Sequence, residues 1–187
     1  MSMSDQPSSP AAPGRPLGPD QLATLQQANQ LLANGRPGQA APLFAQLAAQ
    51  MESSQRPRRA ANLHAQAAHA FADSNAGQAA LGQARSALNL FIENQMNMRT
   101  PRFYANITRK LHNKGMPVAA QSLEQEYGAR IGAVHAQPAP AAPPKHRGAL
   151  PTSCPKCGAP VHGRDANWID DNTVECDYCG VLIRAGS

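Results

Sequence analysis

Before residue 154 this chain of 187 residues has no cysteine at all; its four thiols stand in "CPKCGAPV" and "VECDYCGVLI" near the end. Aromatic side chains are scarce, at 4% with one tryptophan, so platforms for stacking nucleic-acid bases are few. Charged residues make up only 16%. No apolar run approaches the roughly 18 residues that a membrane helix needs. The opening "MSMSDQPSSPAAPGRPLGPD" has no apolar core behind a basic start, so no secretory leader is expected. The chain reads as cytoplasmic, a compartment that keeps thiols reduced. Catalytic apparatus is also missing. There is no phosphate loop, no Ser/His/Asp order and no paired-carboxylate motif, so an enzyme is not expected. His64 and His69 are five apart and do not share a helix face as a metal pair would. They read as ordinary polar positions, as do His112, His135, His146 and His162.

What is present is unevenly spread. Residues 1–19 place Pro7, Pro10, Pro13, Pro16 and Pro19 at every third position, the pattern of an extended or polyproline-like tail. Residues 135–153 hold five prolines and no apolar periodicity, which marks a linker. Between them, residues 20–134 are rich in Ala and Gln and carry apolar stripes at steps of three and four. The stripes are Leu22–Leu25–Ala28–Leu32, Ala40–Leu43–Phe44–Leu47–Met51 and Leu63–Ala67–Ala70–Phe71. Three more follow: Leu81–Ala84–Leu88–Phe91, Phe103–Ile107–Leu111 and Leu123–Tyr127–Ile131. Turn-like breaks separate them, and Pro37, Pro57, Pro101 and Pro117 each suit the first turn of the next helix. Pro42 is tolerable only if its helix begins near residue 38.

A repeat of about 40 residues runs through this region. "GRPGQAAPLF" begins at Gly35, "NAGQAALGQA" at Asn75 and "GMPVAAQSL" at Gly115. Each copy lies at the turn between two predicted helices, so the expectation is a stack of helical hairpins. A turn, then Ala, then a large apolar residue four on resembles the tetratricopeptide repeats; Ala28, Gly35, Ala40 and Phe44 carry the likeness. The period is longer than that family's 34 residues. The resemblance implies paired antiparallel helices.

The cysteines are spaced C-x2-C-x18-C-x2-C, from Cys154 and Cys157 to Cys176 and Cys179. Each CxxC turn aims two sulfurs at one centre, and two such turns complete a tetrahedron. Gly158 and Gly180 follow the second cysteine of each pair, where the backbone needs a positive φ. Strand-like pieces at 167–169, 173–176 and 180–183 suggest a small antiparallel sheet. Trp168, Ile169, Val174 and Leu182 are its expected apolar contacts. The two knuckles resemble those of the zinc-ribbon and rubredoxin-like family. That implies one Zn2+ per chain on Cys154, Cys157, Cys176 and Cys179, in a closed structural site without an open coordination position. The same four sulfurs in a rubredoxin-like setting would hold iron for electron transfer, and two disulfides would use them otherwise.

The expected fold is therefore mainly α, a helical-hairpin domain over 20–134, plus a small β zinc ribbon over 154–187 tethered by the linker. Charge divides along these lines. Residues 54–134 carry ten basic and four acidic side chains, a surplus of +6, while 154–187 carry three basic and five acidic, −2. Arg56, Arg58 and Arg59 cluster in one place, and Arg99, Arg102, Arg109, Lys110 and Lys114 in another. The architecture reads as a protein-interaction or adaptor protein with no membrane contact. The basic helical segment leaves a nucleic-acid-associated role as the alternative.

Overall fold

A computed structural model describes residues 16–135, 148–161, 163 and 166–186. Most of the proline-rich tail and of the linker, with His146 and His162, lie outside the described residues. The helices are α1 (Pro19–Ala33), α2 (Pro37–Ser53), α3 (Pro57–Asp73), α4 (Gly77–Glu93), α5 (Arg99–Asn113) and α6 (Pro117–His135). None is long and apolar enough to cross a membrane.

Their spacing has a local cause. Each turn between helices ends on a left-handed residue: Gly35, Gln55, Asn75, Gln95 and Gly115, 20 residues apart, with φ between 54° and 71°. Behind each lies the same pair of hydrogen bonds. In the first turn Gly35 N–H donates to the Leu32 carbonyl at 3.0 Å and Arg36 N–H to the Leu31 carbonyl at 2.8 Å. Arg56→Met51, Ala76→Phe71, Met96→Phe91 and Met116→Leu111 repeat the longer bond. This is the Schellman closure, which satisfies the orphan carbonyls at a helix end. The structural unit is thus one helix and its turn per 20 residues, and the 40-residue repeat is two such units.

The register also fixes the packing. Ala40, Ala60, Ala80, Thr100 and Ala120 recur at the same step and are all buried. Small side chains there let successive helices approach closely. Thr100 meets its polar need internally, donating its hydroxyl to the Met96 carbonyl at 3.0 Å. The large residues between fill two cores. Leu25, Phe44, Leu47, Met51 and Leu63 belong to one. Leu88, Phe91, Ile107, Leu111, Leu123 and Tyr127 belong to the other. The helix that holds Pro42 starts at Pro37, near residue 38 as expected, but Pro42 lies inside α2, beyond its first free N–H groups. The carbonyl that loses its partner is that of Gly38, which is exposed, as is Pro42.

The C-terminal module is a three-stranded antiparallel sheet, β1 (Asn167–Asp170), β2 (Thr173–Glu175) and β3 (Leu182–Arg184), with β2 in the middle. Val174 pairs with Ile183, so those two share the inner face. Both are buried, while Leu182 is 50% exposed. The expected inward position of Leu182 is therefore off by one residue. Strand alternation counted from Val174 through this register turns Leu182 out. A bridge between Ala149 and Gly186 ties the first described residues of the module to its last.

The largest departure concerns the tether. The module does not stand apart from the helices but lies against α1, α3 and α5. Leu17 N–H donates to the Cys179 carbonyl at 3.0 Å. Gln26 and Asn29 of α1 donate to the carbonyls of Lys156 and Cys157 at 2.7 and 2.6 Å. Buried cysteines, Val174, Tyr178 and Ile183 join the same apolar core as Leu25, Phe44 and Leu63. Opposite net charges and amide donors facing knuckle carbonyls supply the attraction that linker composition cannot reveal.

Candidate metal centre

The two knuckles are built alike. In the first, Cys154 N–H donates to the Ala159 carbonyl at 2.8 Å and Gly158 N–H to the Cys154 carbonyl at 2.9 Å. In the second, Cys176 N–H donates to Val181 at 2.8 Å and Gly180 N–H to Cys176 at 2.9 Å. Gly158 and Gly180 have φ of 76° and 75°, as the sequence pattern requires. The sheet then sets the knuckles face to face.

All four sulfurs are buried and lie within 4.8 Å of one another. Cys154 Sγ is 3.8 Å from Cys179 Sγ, and Cys157 Sγ is 3.8 Å from Cys176 Sγ. A regular tetrahedron with metal–sulfur bonds of 2.3 Å has edges of about 3.8 Å. Disulfide sulfurs would stand about 2.05 Å apart, so none of the four is paired that way. The arrangement matches a metal set and does not match two disulfides.

Without a cation the thiols cannot all ionise. S–H groups of Cys157, Cys176 and Cys179 hold the Cys154 thiol well below its ordinary value. The same contact with Cys154 pushes Cys157 and Cys176 well above theirs. Against the opposing push of Cys154, Cys157 and Cys176 lower the Cys179 thiol as well. A divalent cation that binds all four sulfurs displaces the protons they still hold, so metal binding releases protons and weakens in acid. The four cysteines can hold such an ion, and they fill every corner of a tetrahedron.

Four thiolates around a divalent cation leave a charge of −2, and the helices bring cations to it. Arg59, only 7% exposed, donates from Nη2 to Glu175 Oε1 at 2.5 Å. Its guanidinium rests against Gly180 so closely that a Cβ there would lie 1.9 Å from Nη2. Arg99 Nη2 donates to Asp177 Oδ2 at 2.6 Å and its Nη1 to Asn62 Oδ1 at 2.8 Å. Burial raises the Asp177 carboxyl above its usual value, although Arg99 pulls the other way. Tyr178 is buried against α3, takes a hydrogen bond from Gln66 at 3.0 Å and is pushed up to about 12 by burial.

The remaining basic residues are mostly engaged elsewhere. Lys110 and Lys114 both face Asp73, at 2.7 and 3.6 Å. Arg109 donates to Asn106 at 2.7 Å. Two of the described histidines are drawn into structure. His64 lies between Gln83 and Glu52. His69 packs edge-on to Phe103 with centroids 5.4 Å apart, and burial lowers it to about 4, helped by Lys110. Sequence reasoning missed the contribution of Gln26, Asn29, Asn62 and Gln66. No periodicity marks a polar side chain that recognises a distant knuckle. Comparison with protein-family models, with curated proteins and with solved structures finds no match for this chain.

Proposed function

We propose that this chain is a zinc-binding protein-interaction protein, with one structural Zn2+ on Cys154, Cys157, Cys176 and Cys179. The carrying observation is the sulfur set, whose 3.8 Å separations suit Zn–S bonds of about 2.3 Å. A closed tetrahedron offers no position for substrate, so the ion's work is to hold the small module together. A few tens of residues bury too little surface to fold alone. Apparent zinc binding of roughly 10–16 kcal/mol near neutral pH offsets that shortage.

The interaction role follows from where the module sits. It covers part of the face formed by α1, α3 and α5. Beyond it the same three helices border an open groove of about 630 Å3, lined by Leu32, Gln66, His69, Asn106, Arg109 and Lys110 among others. Stacked helical hairpins commonly use such a concave face for partners. The nucleic-acid alternative draws less support, because Lys110 and Lys114 are opposed by Asp73. Elemental analysis of untagged protein tests the metal; less than half an equivalent of zinc, or mainly iron, overturns it. A photo-crosslinker at Asn106 should trap partners that one at the exposed Gln46 of α2 does not. Equal trapping from both positions, or binding that survives in full when the groove is blocked, removes the interaction reading.

A further inference from the structure

Where the β module meets the helices a cleft of about 560 Å3 remains. One wall carries Arg56, Arg58 and Arg59 at the start of α3, with Arg99 of α5; the other carries Glu175 and Asp177 of the module. Clefts of this size between packed units are where small ligands are usually held.

Among the described residues, four guanidinium groups face two carboxylates. Glu175 is matched by Arg59, and Asp177 by Arg99. That leaves Arg56 and Arg58. Among the described residues their guanidinium groups make no hydrogen bond or ion pair, and Arg58 acts on Asp177 only through space. Arg56 is half-buried in the cleft wall and Arg58 is exposed at its mouth. Both carboxylates among the described lining residues are committed, so Arg56 and Arg58 keep their guanidinium groups for a ligand. Asn97 lines the cleft beside them, while the amides of Asn94 and Asn167 donate to the Leu90 carbonyl and to Glu175 Oε2.

We propose that this cleft binds a small phosphate-bearing anion, its phosphate held by Arg56 and Arg58. A phosphate monoester carries about −1.5 to −2 at neutral pH and three acceptor oxygens, enough for two guanidinium groups at once; a single carboxylate offers less of both. The guanidinium fork also fits phosphate oxygens two at a time. The site is completed only when the module is docked, since Asn167, Cys176 and Asp177 form its second wall. Anion binding therefore depends on the metal-stabilised module. That dependence rests on the zinc reading, while the assignment of Arg56 and Arg58 does not.

The test uses pyrophosphate as the probe, titrated at low salt into the full-length, zinc-loaded chain and followed by amide NMR shifts. Saturable shifts centred on residues 56–59, 97–99 and 167 are expected. Arg56→Gln/Arg58→Gln should weaken binding by about tenfold or more, the usual scale for losing hydrogen bonds to a charged group. Arg58→Gln alone, at an exposed position, should show a smaller loss in the same direction. A control of equal charge, Arg36→Gln/Arg130→Gln, should leave the affinity unchanged. Zinc content measured on every sample separates failure of the metal reading from failure of this one. The proposal is overturned by an absence of saturable shifts in zinc-replete protein, or by equal losses in the control. It is also overturned if the shifts centre on Arg109, Lys110 and Lys114. A short single-stranded oligonucleotide that binds far more tightly than pyrophosphate would also overturn it, in favour of a polynucleotide surface.

Discussion

Replacing Arg59 with leucine should destabilise the module and the helices together. The Arg59 and Glu175 side chains are 8% and 9% exposed and meet at 2.5 Å. Without the guanidinium, Glu175 keeps the Asn167 amide, which donates to Oε2 at 3.0 Å, but lacks its cation. Removing one member of a buried pair costs about 3–5 kcal/mol, because the remaining charge stays desolvated. A folded domain has only about 5–15 kcal/mol in total. Arg59→Leu/Glu175→Leu should recover most of the loss, since a buried pair exchanged for apolar groups is close to neutral. Two signals divide the molecule. Trp168, the single tryptophan, stands in β1 and reports on the module, whereas helical circular dichroism reports on α1–α6. Denaturant titrations in the presence of metal should shift both signals to the same lower midpoint in Arg59→Leu. The reasoning fails if Arg59→Leu stays within about 0.5 kcal/mol of the parent, the range of ordinary surface changes. It fails equally if tryptophan fluorescence moves and the helical signal does not.

Three further outcomes are expected. Complete metal removal, or Cys176→Ser, should abolish the folded Trp168 signal and also lower the helical melting temperature, because the module covers apolar side chains of α1 and α3; an unchanged helical melt would show that docking contributes nothing. Gly180→Ala meets Arg59 at 1.9 Å and carries a positive φ, so it should destabilise by more than the roughly 1–2 kcal/mol of left-handed strain; Gly82→Ala on the exposed face of α4, with nothing within 4 Å, should instead stabilise by about 0.5–1 kcal/mol. His69 is held neutral by burial, with Lys110 against it and Asp73 in favour of its charge, so the unfolded chain takes up the proton first; stability should fall by up to about 3 kcal/mol as pH drops from about 6.5 to about 4, and His69→Leu should remove that part of the pH dependence, a difference that denaturation of the two proteins across this range measures directly.

The helical region was legible because its local signals agree. Apolar steps of three and four name the buried faces, and Pro37, Pro57 and Pro117 each open a helix. Gln55 and Gln95 were not legible as left-handed turn residues, because glutamine is not a turn former. They adopt that conformation because the helices on both sides are fixed by packing and the Schellman hydrogen bonds close only there. The small-residue column at Ala40, Ala60, Ala80, Thr100 and Ala120 was present in the sequence, hidden in a background of abundant alanine. The phase of β3 was misjudged because both Leu182 and Ile183 are apolar, and only pairing with Val174 chooses between them.

By itself the sequence determined the six helices, the knuckles and the cysteine set, since each depends on residues a few positions apart or on one repeated spacing. Whether the β module floats on its linker or lies on the helices was decided only by tertiary structure. That outcome depends on Arg59 meeting Glu175, 116 residues away, and on Asn29 meeting the Cys157 carbonyl, 128 residues away. A proline-rich linker sets how far the module can reach. Docking rests on an apolar core shared by the two units, and its register on charged and backbone groups that find partners only once both surfaces exist; no local pattern encodes their meeting.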